Sequence, residues 1–258
     1  MHLFLSPHLD DAVLSCGGTI HQLTASGEPV TVLTTMAGDP PDPLPDTPIV
    51  ADLHQRWQAG YSPVAVRRRE DEQACAMLGA QIVHFSLGDC VYRLSDAGDP
   101  RVALYPDEDS LWGDIHPLDP APGVLRQSGV PNNPLPSALY VPVGSRHHVD
   151  HRIVRDWGLW LHAQNPRGIL FLYEEYPYES DATMELERAL AFFRPRQLSL
   201  EPRPLSEADV DAKLEAIACY ESQISTFWPS LTDMAAKTRE SMLAAGNGHS
   251  VERFWRIT

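Results

Sequence analysis

The residues best suited to chemistry form two short clusters of histidine and aspartate. The first is Pro7-His8-Leu9-Asp10-Asp11, and the second is Arg146-His147-His148-Val149-Asp150-His151. Two adjacent carboxylates repel one another within about 6 Å, so a turn that carries them favours a nearby positive charge. A divalent cation supplies that charge, and zinc accepts imidazole nitrogens and carboxylate oxygens as ligands. Together the two clusters predict a metal site.

The spacing within the clusters suggests which side chains bind the ion. His8 and Asp11 are three residues apart and can reach one ion from a single turn, with His151 as the third ligand. Two histidines and one carboxylate leave a position open for water on zinc. Asp10 points elsewhere and is expected to act as a general base toward that water. Taken alone, each aspartate has an alternative role as the N-cap of the following helix.

The remaining polar residues of the second cluster are expected to assist the reaction. His148 would donate a hydrogen bond toward negative charge that develops on a substrate oxygen. Asp150 would hold the imidazolium of His148 in place. We assign no role to His147, which we expect to be a solvated loop histidine.

Each cluster follows an apolar stretch of strand length and precedes a helical pattern. Residues 2–5 and 138–143 are the strand patterns, and apolar residues at helical spacing follow from Ala12 and from Ile153. In a parallel sheet the carboxyl ends of the strands lie on one edge, so the two turns can meet in space. The chain is therefore predicted to be a single α/β domain over residues 1–258, with a Rossmann-like, mostly parallel sheet flanked by helices.

The rest of the chain supplies further elements and two long connections. Strands are predicted at 30–35, 81–85, 169–173 and 252–256, and helices at 64–79, 182–193, 207–224 and 234–245. Glu174 and Glu175 could serve as acid and base, but glutamate pairs at strand ends are mostly solvated, which is the expectation here. Long loops are predicted at about 36–62, which is rich in proline, and at about 91–136. We interpret 95–136 as a substrate-specificity insertion, whose detailed role stays open.

Composition limits the class of protein. The 258 residues carry a formal charge of −15, which argues against a nucleic-acid partner because phosphate binding needs a basic surface. No apolar run approaches the length that spans a bilayer, and the first residues lack the basic flank of a signal peptide. The four cysteines show no C-x-x-C spacing and are expected to be reduced, which predicts a cytoplasmic protein.

The two motifs together resemble those of the LmbE/PIG-L family of zinc-dependent N-acetylglucosaminyl deacetylases. That family carries Pro-His-x-Asp-Asp near the N-terminus and His-x-x-His near the middle, matched here by residues 7–11 and 148–151. The resemblance spans nearly the whole chain. It implies the following roles: zinc ligands His8, Asp11 and His151; general base Asp10; stabiliser of the tetrahedral intermediate His148; and Asp150 as the residue that orients His148.

The same resemblance implies one substrate contact and shows one departure. Arg67 and Glu70 match a family Arg-x-x-Glu segment whose arginine faces the substrate. The alternative for this pair is a helix ion pair that stabilises by a few tenths of a kcal/mol. Arg146 stands where some family members carry a tyrosine that assists the chemistry. This replacement argues against a tyrosine-assisted mechanism and favours a different or anionic substrate group.

The expected activity is zinc-dependent removal of an N-acyl group from an amino sugar or glycoconjugate, with a small molecule as substrate. Two alternatives stay open: a metal-dependent esterase or phosphatase, and a metal-binding domain without catalysis. Another divalent ion could replace zinc, because two nitrogens and one oxygen suit several metals. The sequence identifies neither the sugar nor the oligomeric state.

Overall fold

A seven-stranded sheet forms the centre of the computed structural model, which describes residues 1–57, 62–95, 101–129, 136–177, 182–194 and 196–258. The strands, in chain order, are β1 (His2–Ser6), β2 (Val30–Thr34), β3 (Gln81–His84), β4 (Ala138–Pro142), β5 (Ile169–Tyr173), β6 (Leu198–Pro204) and β7 (Val251–Ile257). Their spatial order is β3-β2-β1-β4-β5-β7-β6. The first five are parallel to one another, whereas β7 is antiparallel to both of its neighbours.

The strand order places a topological switch point between β1 and β4. From β1 the chain moves outward through β2 to β3, and it then returns to β4 and moves outward the other way to β5. Such a reversal leaves a crevice at the carboxyl ends of the two central strands, where ligands bind in open α/β sheets. The predicted Rossmann-like, mostly parallel sheet is confirmed, and both histidine clusters follow the two strands that flank this crevice.

The helices cover both faces of the sheet. They are α1 (Asp11–Ala25), α2 (Pro48–Trp57), α3 (Pro63–Met77), α4 (Glu108–Leu111), α5 (Ala121–Gln127), α6 (Val149–Gln164), α7 (Ala182–Ala191), α8 (Glu207–Ala218), α9 (Glu221–Phe227) and α10 (Leu231–Ala245). None of them, within the described ranges, has both the length and the apolar character needed to cross a bilayer.

Successive strand residues belong to opposite cores because side chains alternate across a sheet. Phe4 packs with α1, α3 and α8 on one face. Leu3 and Leu5 pack with α5 and α6 on the other. Burial of one such side chain contributes about 1.5–3 kcal/mol. A third cluster lies near the predicted site and includes Leu9 and Val149, each next to one of its histidines. Their burial fixes the two turns to the body of the protein.

Several predicted boundaries were wrong. The predicted loop 36–62 contains α2, and the predicted loop 91–136 contains α4 and α5 and begins within a short 3-10 helix at Cys90–Tyr92. Strand β6 was missed because its prolines weaken the strand pattern, although an edge strand tolerates them. The predicted helix 207–224 is divided between α8 and α9, with Tyr220 at the break.

Two glycine positions allow close helix packing. A Cβ on Gly158 of α6 would lie 2.3 Å from Cγ1 of Val141, so only glycine lets this helix pack so closely against β4. A Cβ on Gly18 of α1 would lie 2.5 Å from Cδ1 of Leu205. The adjacent Gly17 faces the side chain of Lys213 in α8.

Candidate active site

The turn between β1 and α1 leaves the carboxylate of Asp10 available. Asp10 occupies the N-cap position of α1, but its side chain makes no capping hydrogen bond. The Ala12 N–H donates instead to Oγ of Ser6 at 3.0 Å. Oδ2 of Asp11 accepts a hydrogen bond from the backbone N–H of His8 at 2.8 Å. The ordinary N-capping alternative therefore does not describe Asp10, whose side chain is nonetheless buried.

Three predicted metal ligands converge across the switch point. Oδ2 of Asp11 lies 3.2 Å from Nδ1 of His8 and 3.4 Å from Nε2 of His151. Ligand atoms at roughly 2.0–2.2 Å from a tetrahedral zinc ion lie roughly 3.3–3.6 Å from one another. Each of these two separations is close to that range, which supports a cation shared by Asp11 and each ring.

The outer nitrogen of each of these histidines contacts a buried carboxylate. Nε2 of His8 lies 3.1 Å from Oδ2 of Asp150, and Nδ1 of His151 lies 3.1 Å from Oε1 of Glu175. Histidines that bind a metal usually donate their second ring N–H to a carboxylate or carbonyl, which fixes the tautomer. Both histidines show this pattern, which an isolated surface histidine has no reason to adopt.

The charges around these rings favour a cation. Burial alone would lower the pKa of His8, yet the carboxylates of Asp89, Asp11 and Asp150 raise it well above its usual value. Burial also lowers the pKa of His151, but the carboxylates of Asp11 and Glu175 have the larger effect. The pKa of His151 is therefore raised. The two imidazoles hold the pKa of Asp11 below its usual range despite burial. A divalent cation would supply the positive charge that these carboxylates favour.

His148 is held as a neutral hydrogen-bond donor. Its Nδ1 caps α6 by accepting the Asp150 backbone N–H at 3.3 Å. A neutral ring that accepts at Nδ1 carries its hydrogen on Nε2. Burial and the nearby rings of His8 and His151 lower the pKa of His148 well below its usual value. These observations favour a neutral imidazole with an N–H at Nε2.

The Asp150 carboxylate was predicted to hold the ring of His148, but it has other partners. The Asp150 carboxylate accepts from the guanidinium of Arg93, from the backbone N–H of Cys90 at 2.9 Å and from His8. Only the backbone N–H of Asp150 contacts the His148 ring. The helix turn that begins at Val149 directs the carboxylate toward β1 and the segment after β3, so it contacts His8 rather than the ring of His148.

Asp10 and Arg67 are neighbours. Nη2 of Arg67 lies 3.4 Å from Oδ2 of Asp10, and its guanidinium carbon lies 4.7 Å from the ring centroid of Trp57. Burial raises the pKa of Asp10 to about 6, although the Arg67 charge opposes this shift. Glu70 instead accepts hydrogen bonds from the backbone and hydroxyl of Ser222. The alternative of an Arg67–Glu70 helix ion pair is therefore not what these contacts show.

Several residues of the site were missed by sequence reasoning. Glu175 is 6% exposed rather than solvated, and it accepts from the N–H groups of Gly144 and Ser145 as well as contacting His151. Its place at the carboxyl end of β5, one strand from the switch point, could have signalled this role. Arg93 lies in a segment without periodicity, which offered no such signal.

The other unassigned residues lie at the edge of the site. The ring centroid of Trp112 lies 5.0 Å from that of His148. The guanidinium carbon of Arg146 also lies 5.0 Å from the Trp112 ring centroid. Arg146 also lies 3.8 Å from Glu185. His147 is exposed, and its φ of 62° lies in the left-handed region. It takes no part in the contacts described above.

Among the residues that the structure describes, three overlapping groups of side chains at this edge could hold a metal ion: His8, His148 and His151; Cys90, His148 and Asp150; and His8, Asp89 and Asp150. His8, His148 and Asp150 each belong to two of them. Asp11 adds an oxygen within 3.4 Å of nitrogens from both His8 and His151. The edge of the sheet is thus a candidate metal centre, with Asp10 and His148 beside it.

Comparison with known proteins places this site in a family context. The family described as "PIG-L: GlcNAc-PI de-N-acetylase" matches residues 3–160. A 2'-N-acetylparomamine deacetylase of Niallia circulans is 31% identical over 194 residues, which cover 68% of this chain and 66% of that protein. A protein of the same name from Streptomyces fradiae is 32% identical over 197 residues, covering 73% of this chain and 61% of that protein. The matched stretch thus spans less than two thirds of either relative.

Solved structures support the fold. The zinc-inhibited form of the teicoplanin deacetylase Orf2 superposes with a TM-score of 0.79 at 23% identity, covering 100% of this chain and 97% of that one. The family match includes both histidine motifs and the two strands that position them. With its crevice between β1 and β4 and this extent of similarity, the chain belongs to the PIG-L family of de-N-acetylases.

Proposed function

We propose that this chain is a zinc-dependent N-deacetylase that hydrolyses the N-acetyl group of an amino sugar or glycoconjugate. The observation that carries the proposal is the convergence of His8, Asp11 and His151, in which both outer ring nitrogens contact buried carboxylates. We also propose that residues 1–258 act as one catalytic domain, because strands from both ends of the chain share one sheet.

The three converging side chains would hold the metal. Their donor set of two nitrogens and one oxygen suits zinc, and another divalent ion of similar preference could replace it. When bound, the ion would polarise the acyl carbonyl and lower the pKa of water. His8 and His151 would bind it as neutral ligands, each donating its outer N–H to Asp150 or Glu175.

Asp10 would move the proton. Its carboxylate lies beside the ligand Asp11, makes no helix-capping bond and is buried, so that an oxygen is available to accept a proton from the attacking water. The water oxygen then bonds to the acyl carbon. Asp10 returns the proton to the amine nitrogen as the carbon–nitrogen bond breaks, and the products are an amine and a carboxylic acid, which then loses its proton to solvent.

His148 would stabilise the oxygen of the tetrahedral intermediate. The α6 cap leaves the hydrogen on Nε2, where it can donate to a developing oxyanion. Because desolvation and the nearby rings of His8 and His151 lower the pKa of His148, the ring stays neutral at neutral pH and keeps the hydrogen on Nε2.

The relatives suggest the class of substrate. Both are named for deacetylation of N-acetylparomamine, which is an acetylated amino sugar derivative. Arg67, next to Asp10, is proposed to contact the sugar. We propose a cytoplasmic location, because all four cysteines are free and a reducing compartment keeps them so.

The test is release of free amine from N-acetylglucosamine derivatives and N-acetylparomamine. The protein is freed of metal with a chelator and then reloaded with zinc, and each form is assayed. We expect amine release only from the loaded form and loss of that release in Asp10→Asn. Zinc binding without amine release from any acylated sugar would contradict the proposal and favour a binding role. Turnover of esters or phosphate esters alone would favour the other hydrolase classes.

A further inference from the structure

Asp150 is a fully buried carboxylate with three donors. It is 0% exposed, and its Oδ1 accepts from the guanidinium of Arg93. Its Oδ2 accepts the Cys90 N–H at 2.9 Å and lies 3.1 Å from Nε2 of His8. A buried charge is costly unless it is paired and hydrogen-bonded. Arg93 provides the pairing, and Asp150 therefore stays ionised with one oxygen directed at His8.

Arg93 is in turn enclosed by residues of the insertion. It is 6% exposed, and its Nε lies 3.4 Å from Oδ2 of Asp119, whose side chain is fully buried. Its guanidinium carbon lies 5.5 Å from the ring centroid of Tyr105. The Tyr105 hydroxyl donates to Oδ2 of Asp119 at 2.7 Å and accepts the His116 N–H at 2.9 Å. The guanidinium thus lies between the carboxylates of Asp150 and Asp119, and its contact with Asp119 is an ion pair without a hydrogen bond at Nε.

The backbone ties the same two segments together. The N–H of Leu104 donates to the carbonyl of Arg93 at 2.9 Å, and the N–H of Ser95 donates to the carbonyl of Val102 at 2.8 Å. Leu94 and Ala103 form an antiparallel bridge. Side-chain and backbone contacts therefore connect the insertion to Arg93, and Arg93 to Asp150 and His8, without a gap.

We propose that Arg93, held by Asp119 and Tyr105, is a positioning residue that sets the orientation of His8 through Asp150, so that residues 101–129 help to hold the metal. The proposal rests on the proposed function, because it needs His8 to be a metal ligand. It gives the insertion a role at the metal centre in addition to any contact with substrate. A purely structural role for Arg93 would stabilise the insertion without changing metal affinity.

The central variant is Arg93→Met in the full chain. We expect the zinc dissociation constant, measured by chelator competition, to rise about 10- to 100-fold, as is typical when the group behind a metal ligand is removed. The visible spectrum of the cobalt-substituted protein should change, because the His8 ring loses its fixed orientation. Arg93→Lys should recover part of the loss, since it restores the charge but not the planar fork.

A conservative variant guards against misfolding of Arg93→Met. Tyr105→Phe removes only the hydroxyl that fixes Asp119, and we expect a smaller rise in the zinc dissociation constant. In an Asp150→Asn background the same change should have no further effect, because both residues act through one path. Additive effects of the two changes on zinc affinity would contradict the proposal.

Matched controls come from another aromatic cluster. Arg203 donates to the Tyr140 hydroxyl at 3.0 Å and lies over its ring. Arg203→Met and Tyr140→Phe should lower the melting temperature without changing zinc affinity. If Arg93→Met behaves as they do, with unchanged zinc affinity and cobalt spectrum, the proposal is wrong. If His8→Ala itself keeps full zinc affinity, the proposed metal site fails instead.

Discussion

Two buried ionic clusters contact the first half of α1, and they are built differently. In one, Nζ of Lys213 lies 2.7 Å from Oε1 of Glu252 and donates to the Ser15 carbonyl. The Glu252 oxygens also accept the N–H groups of Gly18 and Thr19 at 3.0 and 2.8 Å. Each charge has its opposite and each carboxylate oxygen has donors. This pair is complete without any further group.

The second cluster, at the carboxyl ends of β1 and β4, is incomplete. Four carboxylates contact His8 or His151, namely Asp11, Asp89, Asp150 and Glu175. Among the described contacts, only that of Asp150 also includes an arginine. The positive charge must therefore come from the imidazoles or from a bound cation. The comparison shows that burial alone does not identify a chemical site, whereas burial with an unbalanced charge does.

Among the variants of the two clusters, His151→Ala should have the largest effect. The variant removes a proposed ligand from the unbalanced cluster, so we expect the purified protein to lose nearly all of its zinc and its deacetylase activity. Elemental analysis and the amine-release assay measure both. His162→Ala, on the same helix, is the matched control and should keep both. Full zinc content in His151→Ala would remove this residue from the ligand set.

Asp10→Asn separates catalysis from metal binding within the same cluster. The amide keeps the size of the side chain but cannot accept the water proton, so kcat should fall about 10²- to 10⁴-fold. Zinc content should not change, because Asp10 is not a proposed ligand. Asp52→Asn, in an exposed ion pair, serves as the control. Activity close to that of the parent would show that another group is the base.

Lys213→Met removes the cation from the complete cluster. It leaves the Glu252 charge buried without its cation, and we expect the free energy of unfolding to fall by about 3–5 kcal/mol. Denaturant titration measures the loss, and zinc content of the folded protein should stay at the parent level. Lys237→Met changes an exposed helix pair and should cost no more than about 1 kcal/mol. Loss of zinc in folded Lys213→Met would mean that the two clusters are coupled.

Glu175→Gln changes the carboxylate that contacts His151, and it should have the smallest effect of the four variants. The amide keeps the contact with His151 but removes the charge that raises the basicity of the ring, so zinc affinity should fall about 10- to 100-fold. Chelator competition is the measurement. Glu174→Gln changes the neighbouring residue, whose partner is Arg253, and should leave zinc affinity unchanged. Equal effects of the two variants would deny Glu175 a specific role.

The central part of the fold follows from the sequence because its strands are short apolar runs and its two reactive turns repeat one pattern. The same reasoning brought positions 8 and 151 to one edge of the sheet. The partner of Asp150 could not be predicted, because Arg93 reaches it from a segment with no periodicity. Strand β6 was missed because Pro202 and Pro204 are tolerated only through its edge position. Tertiary context, rather than local pattern, decided both.

The most direct test is a crystal structure of the zinc-loaded protein with anomalous diffraction recorded on both sides of the zinc absorption edge. We expect one strong anomalous peak bound by Nδ1 of His8, Oδ2 of Asp11 and Nε2 of His151. A peak bound instead by Cys90, His148 and Asp150, or the absence of any peak at this edge of the sheet, would contradict it.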